Sequence, residues 1–358
     1  MQIQDMNEDR NLQSEVFLSF CIPTLNRANE LRTSLESIVS QATSKTEVVI
    51  VDGGSIDETL EVIESFKSRL PRIYVYESKT KSGVDRDILQ SVAMARGRYC
   101  WLFSDDDFLL SGAMKRVLSE IEACDGISGI STNYVAFMPD LAYTVATVPA
   151  IAFNQFSKSM RFYDRGECFA SLGIHLGFIS CQIVRKDLWQ AVVDQEDLSS
   201  QCNAWIIVYV IGKMLLIRSD WSYIHDICVG YRSGNDSFIA RVGTIKRQRI
   251  AHINYAHTIG SLFPRDSKEY RSVFRILLKD RMPRTLAVLK ANGASLSVQL
   301  ELFKMYISQY RSYPSFWTRV LPIFFIPNRC LMFVRRLYLN WRSRHELAID
   351  KSTSLTKV

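Results

Sequence analysis

The segment Tyr99-Cys100-Trp101-Leu102-Phe103-Ser104-Asp105-Asp106-Asp107 joins an apolar run to three consecutive carboxylates. Adjacent carboxylates repel: at 4 Å, two unit charges cost roughly 1 kcal/mol in water and roughly 4 kcal/mol at an effective dielectric constant of 20. Hard oxygen ligands at the end of a buried strand suit Mg²⁺ or Mn²⁺. Acidic loops without a metal are also common, so the cluster alone leaves both interpretations open.

The bulk composition indicates a folded protein of one large domain or two ordinary ones. The chain has 358 residues, 47% of them hydrophobic and 23% charged, which is enough for a sizeable core. Eight scattered cysteines without a Cys-x-x-Cys pair are typical of reduced, buried thiols. Residues 1–15 are polar and no apolar run reaches 18 residues, so we expect no signal peptide, no transmembrane helix and a cytoplasmic location.

Strand and helix patterns alternate on both sides of the aspartates. The predicted strands cover residues 16–22, 47–51, 72–76, 99–103 and 127–135, with Pro23 ending the first and Gly97 capping the helix before the fourth. This order predicts an α/β fold with a mainly parallel sheet. Since ligands of such sheets lie at the carboxyl ends of the strands, Asp52 and the three aspartates are expected to face one crevice.

The second half of the chain is less regular. Residues 176–184 are strand-like, and residues 206–217 are apolar throughout and fit either a helix or a strand. Residues 244–310 are predicted to be helical.

Four segments together resemble the family-2 glycosyltransferases with the GT-A fold. They are Ile22-Pro23-Thr24-Leu25-Asn26-Arg27, residues 51–57 around Asp52-Gly53-Gly54-Ser55, Gly83-Val84-Asp85-Arg86, and residues 95–107. The resemblance covers residues 16–135 and implies a GT-A-type nucleotide-sugar-binding fold with a mainly parallel sheet. We expect a tail at 1–15, a transferase domain at 16–240 with nucleotide-binding and acceptor halves at 16–135 and 136–240, and a basic helical C-terminal region at 241–358.

The resemblance also implies roles for individual residues. Those expected to contact the nucleotide sugar are Pro23, Thr24, Asp52, Arg86, Asp105 and Asp106. A guanidinium such as that of Arg86 suits a diphosphate. Asp105 and Asp107 match the outer acids of the family's Asp-x-Asp motif, and Asp107 would bind Mn²⁺ or Mg²⁺ directly.

The catalytic base is harder to place. Inverting relatives often carry a Glu-Asp pair before an acceptor-facing helix, where this chain has residues 200–205 without an acid. Either Asp197, chosen from the nearby acids at 194, 196 and 197, acts as the base, or the reaction uses none. Asp236 is a second catalytic candidate, although Asn235-Asp236-Ser237 is also a common turn sequence. His175 fits an acid/base role or a structural one.

A narrower resemblance concerns residues 176–180, 184–189 and 232–238, which are similar to the abequosyltransferases of O-antigen synthesis. It implies transfer of a 3,6-dideoxyhexose from CDP-abequose to an undecaprenyl-diphosphate-linked oligosaccharide. Phe178, Ile179 and Trp205 could line an apolar sugar pocket or belong to the core. The alternatives are a transferase using a UDP-, GDP- or dTDP-sugar, a nucleotidyltransferase, which the lack of glycine after the first strand disfavours, and a non-catalytic membrane scaffold.

The C-terminal third is strongly basic. Residues 239–345 contain 20 Lys and Arg against 4 Asp and Glu, although the net charge of the whole chain is +7. A solvated charged face, a nucleic-acid-binding surface and a membrane-binding surface all fit such a charge, but no nucleic-acid-binding signature is present. Apolar positions at 331, 334, 338 and 341 flanked by arginines are typical of a helix at an anionic membrane surface. We therefore expect peripheral binding to the inner face of the cell membrane and no nucleic-acid partner.

Overall fold

The structure is a computed structural model that describes residues 16–70, 72–78, 82–124, 126–137, 156–232 and 237–337. The chain separates into two units, Met1–Asn235 and Asp236–Val358. The predicted tail at 1–15 lies outside the described residues.

Four parallel strands form one half of the sheet in the first unit. They are β1 (Leu18–Thr24), β2 (Thr46–Asp52), β3 (Ile73–Glu77) and β4 (Tyr99–Leu102), in the order β3-β2-β1-β4. Helices α1 (Ala28–Val39), α2 (Thr59–Phe66) and α3 (Val84–Met94) connect them. Every residue of β1 and β2 is buried, as expected for strands covered on both faces. The predicted alternation of strands and helices is confirmed.

The expectation that Pro23 ends the first strand was wrong. β1 continues through Pro23 to Thr24, which pairs with Asp52 in β2. Alternate residues of β1 bond to β2 and to β4, and the pairing with β4 ends at Cys21 and Leu102. Proline is tolerated here because its missing N–H faces the side where β4 has already ended.

Gly97 does not cap α3, contrary to expectation. The helix ends at Met94, followed by extended backbone at Ala95. A Cβ atom on Gly97 would lie 2.5 Å from Ser19 Oγ and 2.9 Å from Ser19 N. Glycine is required because the chain passes directly against β1, and not because the backbone turns there.

The other half of the sheet is mixed. β8 (Gln182–Arg185) lies antiparallel between β4 and β6 (Gly129–Phe137), and β9 (Trp221–Arg232) runs parallel to β6. Two short strands, β5 (Phe108–Leu109) and β7 (Met160–Phe162), pair antiparallel with β9. The helices of this half are α4 (Ala113–Ala123), α5 (Arg165–Leu172) and α6 (Lys186–Gln195).

Residues 176–184 are a strand only at their end. Two short 3₁₀ turns, Gly173–Gly177 and Ile179–Cys181, precede β8. The first turn passes so close to the Trp205 indole that a Cβ on Gly177 would lie 2.5 Å from Trp205 Cζ3.

Residues 206–217, which fitted either a helix or a strand in the sequence, form helix α7 (Ile206–Ile217). Most of its side chains are buried, as expected for a helix that is apolar all round.

The described part of the second unit is helical. It contains α8 (Ser237–Gln248), α9 (Tyr255–Leu262), α10 (Lys268–Ile276), α11 (Met282–Ala291), α12 (Leu296–Tyr310) and α13 (Leu321–Phe325), with a further helix over residues 328–337. π-helical turns at Arg249–Asn254, Leu277–Arg281 and Phe316–Val320 interrupt the series. The predicted helices over 244–310 are confirmed. Within the part of the chain that the structure describes, no helix is long and apolar enough to cross a bilayer.

Candidate active site

The carboxyl ends of β1, β2 and β4 bring several predicted residues together. Thr24 and Asp52 are neighbours in the β1–β2 register. Thr24 Oγ1 donates a 2.8 Å hydrogen bond to Asp105 Oδ2 in the turn after β4. Asp52 and Asp105 therefore lie at the same edge of the sheet, as predicted from the strand order, with Thr24 between them.

The three aspartates have different surroundings. Asp106 forms an ion pair with Arg27, whose Nη1 lies 2.7 Å from Oδ2, and it also accepts a 2.5 Å hydrogen bond from Ser104 Oγ. Asp107 is 1% exposed and accepts hydrogen bonds from Ser180 Oγ at 2.5 Å and from the backbone N–H of Arg232 at 3.3 Å. Arg27 therefore pairs most closely with the middle acid, and its Nη1 lies farther, at 4.0 Å, from Asp105 Oδ1.

Burial makes the outer aspartates hold their protons strongly. Loss of solvent and the neighbouring charge of Asp106 raise the pKa of Asp105 to about 7, since Arg27 Nη1 is 4.0 Å away and compensates only in part. Burial raises the pKa of Asp107 well above its usual range. Negative charge at these two positions is under-compensated by the protein alone.

Asp105 and Asp107 have the chemistry of a site for a divalent cation completed by a substrate. Across the described ranges, no group of three or more His, Cys, Asp or Glu side chains could hold a metal on its own. Mg²⁺, however, is usually bound by one or two carboxylates together with water and substrate phosphates. Two buried carboxylates whose negative charge the protein offsets only in part fit that requirement.

Asp52 is occupied in holding its own turn. Its Oδ2 accepts hydrogen bonds from the N–H groups of Gly54 and Ser55 at 3.1 and 2.9 Å, and its Oδ1 accepts one from Ser55 Oγ at 2.5 Å. Asn26, at φ 54°, accepts a 2.8 Å hydrogen bond from the Ile56 N–H and donates its own N–H to Ser55 Oγ. The loops after β1 and β2 are thereby locked together beside the crevice.

The remaining predicted donor contacts are Pro23 and Arg86. Pro23 is buried in β1, next to Thr24. Arg86 is exposed in the first turn of α3, beside the thiol of Cys202. An exposed guanidinium is well placed to meet an anionic group of a ligand.

The sequence from 19 to 192 matches the family model described as glycosyl transferase family 2. The chain carries a family 2 glycosyltransferase domain. It is also 26% identical over 278 residues to the abequosyltransferase RfbV of Salmonella typhimurium, a match that covers 74% of this chain and 81% of that protein. A 113-residue match to the hyaluronan synthase of Pasteurella multocida, at 32% identity, spans 32% of this chain and 12% of the synthase.

Solved structures show the same fold for this glycosyltransferase. TarS residues 1–349 from S. aureus, in complex with UDP-GlcNAc, superpose with a TM-score of 0.58 at 16% identity, covering 80% of this chain and 78% of that one. The mannosyltransferase PcManGT from Pyrobaculum calidifontis, in complex with GDP-Man and Mn²⁺, superposes at 0.51 with 14% identity, covering 90% and 87%. The predicted α/β architecture of the GT-A type is confirmed.

Two acids considered as the catalytic base, Asp197 and Glu196, are engaged in contacts within the protein. Asp197 is exposed and accepts a 3.0 Å hydrogen bond from the Ser199 N–H, a contact that lowers its pKa. Glu196 binds Lys213 Nζ at 2.7 Å and the Tyr209 hydroxyl at 2.9 Å. A lowered pKa weakens a general base. The role of Asp197 as the catalytic base thus stays a prediction, and its lowered pKa disfavours that role. Asp236 lies outside the described residues.

Sequence reasoning assigned no role to several residues that shape the glycosyltransferase site. Arg27 hydrogen-bonds Asp106 and Ser180 hydrogen-bonds Asp107, although Arg27 belongs to the first of the four family-like segments.

His175 is buried and its Nε2 lies 2.9 Å from the Thr132 carbonyl oxygen, which agrees with a structural role for this residue.

Half-buried aromatic side chains lie near Asp107. The Phe178 ring packs against Tyr134 at 4.5 Å and against Tyr231 at 5.4 Å between centroids. Phe178 is two residues before Ser180, and Tyr231 directly precedes Arg232, so both ring-bearing segments also contact Asp107.

Proposed function

We propose that the protein transfers a sugar from a nucleotide donor to a hydroxyl group of a lipid-linked oligosaccharide, with the help of Mg²⁺ or Mn²⁺. The observation that carries this proposal is the pair of buried, under-compensated carboxylates, Asp105 and Asp107, at the carboxyl end of β4. A cation held there would offset negative charge on the diphosphate leaving group.

The residues around this pair are proposed to have different roles in binding the donor. The exposed Arg86 guanidinium would hold the diphosphate, and Pro23, Thr24 and Asp52 would line the nucleoside pocket. Arg27 and Ser180 fix the aspartates so that they need not reorganise when the donor arrives. The acceptor oxygen forms a bond to the anomeric carbon as the bond to the diphosphate breaks. The hydroxyl proton passes either to an acid such as Asp197 or directly to solvent.

Our preferred donor is CDP-abequose or a related CDP-dideoxyhexose. The similarity to the Salmonella abequosyltransferase, which extends over most of both chains, supports this choice. A dideoxy sugar has fewer hydroxyls and more exposed C–H groups than an ordinary hexose. Phe178, with Tyr134 and Tyr231 around it, offers the apolar contact that such a sugar needs.

The acceptor is proposed to be an undecaprenyl-diphosphate-linked oligosaccharide at the inner face of the cell membrane. Large apolar side chains of the second unit are exposed, including Phe325 at 76% and Phe333 at 62%. Arg329, Arg335 and Arg336 are exposed in the same stretch of sequence. Apolar groups beside cations suit an anionic bilayer surface.

Thermal unfolding in the presence of Mn²⁺ and CDP, UDP, GDP or dTDP tests the donor. A ligand at 100 times its dissociation constant stabilises the folded state by about 2.7 kcal/mol. A raised midpoint with CDP alone supports a CDP-sugar, whereas a response to another nucleotide moves the proposal to that donor. No response to any of the four supports a non-catalytic scaffold.

Asp107→Asn tests the cation site in the same assay. The variant should lose the Mn²⁺-dependent part of the nucleotide response and all transferase activity. Without ligand at pH 8 it should unfold at a higher temperature than wild type, because ionising the buried carboxyl costs stability. Asp187→Asn is the matched control, since Asp187 forms an exposed ion pair with Arg185. Equal Mn²⁺ responses in all three proteins would contradict the assignment.

A further inference from the structure

Asp85 connects two parts of the domain that are distant in sequence. This residue lies in the first turn of α3 and is 9% exposed. Its Oδ2 accepts a 2.6 Å hydrogen bond from the N–H of Ala204, and the N–H of Ile206 also favours the ionised carboxylate. The first turn of α7 has no side-chain cap from its own N-cap residue. Asp85 therefore holds the backbone of Ala204, just before α7, from a helix 119 residues earlier.

The loop that Asp85 holds, residues 202–205, is strained and is packed from a second side. Ala204 has a φ of 76°, in the left-handed region that costs energy for a residue with a Cβ. Such a conformation persists where the surroundings hold it in place. On the other side the Trp205 indole fits against Gly177, where a methyl group would not fit.

The same loop reaches the proposed diphosphate-binding residue. The Arg86 guanidinium lies near enough to the Cys202 thiol to favour its ionised form, and Arg86 directly follows Asp85 in α3. The loop also occupies the place where the resemblance to inverting family members predicts acceptor-facing acids. One end of α3 thus carries the donor contact at Arg86 and the support of the acceptor-side loop at Asp85.

We propose that Asp85 is a positioning residue that couples donor binding at Arg86 to the conformation of loop 202–205. The coupling rests on the proposed function, because it assigns the diphosphate to Arg86. Without the Asp85 carboxylate, the loop would lose the hydrogen bond that holds Ala204 and would respond less to what binds at α3.

Alkylation of Cys202 by iodoacetamide measures the state of this loop. Cys202 is partly exposed; Cys330 is exposed, and the other six thiols are buried. In a Cys330→Ser background, Cys202 is therefore the principal accessible thiol. The rate is compared per thiolate, from its pH dependence in each variant, because the Asp85 carboxylate also raises the pKa of the Cys202 thiol. On that basis Asp85→Ala should accelerate alkylation by about tenfold, since a hydrogen bond to a charged group shifts a local opening equilibrium by about that factor. Asp85→Asn retains an acceptor oxygen and should give an intermediate rate.

Asp164→Ala is the matched control. Asp164 caps α5 by accepting a 2.7 Å hydrogen bond from the Glu167 N–H, so its removal also costs one hydrogen bond from a backbone N–H to an aspartate of the same unit. If Asp164→Ala accelerates the alkylation of Cys202 as much as Asp85→Ala does, the effect is general destabilisation and the proposal fails. An unchanged rate in Asp85→Ala overturns it as well.

The second arm adds Mn²⁺ and each of CDP, UDP, GDP and dTDP. In the Cys330→Ser protein, the nucleotide that raises the unfolding midpoint should also change the rate at Cys202, and Asp85→Ala should abolish that change while still binding the nucleotide. Nucleotide binding with an unaltered response in Asp85→Ala overturns the coupling and leaves the proposed function standing. If no nucleotide raises the midpoint of the parent protein, the proposed function and the coupling to donor binding both fail, and the ligand-free rates then report the positioning of the loop alone.

Discussion

The Thr24 hydroxyl donates a 2.8 Å hydrogen bond to Asp105, and this buried contact joins the end of β1 to the turn after β4. From the sequence, Thr24 was predicted only to line the nucleoside pocket. The structure shows that it also hydrogen-bonds Asp105. It is one of the few groups that favour the ionised form of Asp105.

Thr24→Val removes this donor while keeping the side chain's shape. We expect the unfolding free energy at pH 8 to fall by about 2 kcal/mol, because a hydrogen bond to a charged group is lost in a buried site. Urea denaturation measures the change. Thr33→Val, on the surface of α1 where Thr33 Oγ1 bonds locally to the Asn29 carbonyl, should cost much less. Equal losses in the two variants would show that Asp105 gains nothing from Thr24.

Arg27→Gln removes the cation between Asp105 and Asp106. The expected loss of stability is about 3 kcal/mol, because Asp106 loses its ion pair with Arg27 in a largely buried position. We also expect Mg²⁺ or Mn²⁺ to stabilise this variant more than wild type, since the site then has more uncompensated negative charge. Thermal midpoints without the cation and with it at about 10 times its dissociation constant report both effects. A smaller cation response than in wild type would contradict the charge argument.

Asp85 should give the protein a specific pH dependence. Burial raises its pKa to about 6 from the ordinary 3.8, and the Ala204 and Ile206 N–H groups offset this only in part. The native state therefore binds the proton more tightly than the unfolded state, so this residue lowers stability as the pH rises from about 4 to about 6. Relative to Asp85→Asn, wild type should lose up to about 3 kcal/mol over that interval. Parallel stability curves for the two proteins would rule out the raised pKa.

Membrane binding is expected to depend on the arginines at 329, 335 and 336. Replacing all three with Gln should weaken binding to vesicles containing phosphatidylglycerol by about 3 kcal/mol, at about 1 kcal/mol for each charge. The matched control replaces three other exposed arginines of the second unit, Arg271, Arg275 and Arg311. Vesicle co-sedimentation measures both. If the control set weakens binding equally, the attraction comes from net charge and not from this segment.

The fold was predictable from the sequence where one residue pattern determines one structure. The apolar runs of β1, β2 and β4 and the acids at their ends follow from hydrophobic patterning alone. Pro23 and Gly97 were misjudged because their roles depend on neighbouring strands: the first lies beyond the end of β4, and the second lies against Ser19. Neither contact can be predicted from the residues that neighbour Pro23 or Gly97 in the sequence.

The site was predictable as a set of acids but not as a network. Three consecutive aspartates look equivalent in sequence, yet Arg27 is paired with the middle one, and Ser180 hydrogen-bonds the last. These partners lie 79 and 73 residues away. Asp85 likewise received no role, although it belongs to one of the family-like segments, because its function depends on a loop more than a hundred residues later.

The ion pair between Arg27 and Asp106 has a consequence for how such a chain can evolve. In the proposed function Asp105 and Asp107 bind the cation, whereas Asp106 forms an ion pair with Arg27. A change at position 106 alone or at position 27 alone removes this ion pair and leaves the remaining charge less well compensated. We therefore expect positions 27 and 106 to change together among related sequences. A neutral pair should replace the charged pair, while the acids at 105 and 107 are retained. In a library that varies positions 27 and 106 together, we expect only a few pairs of residues to be tolerated.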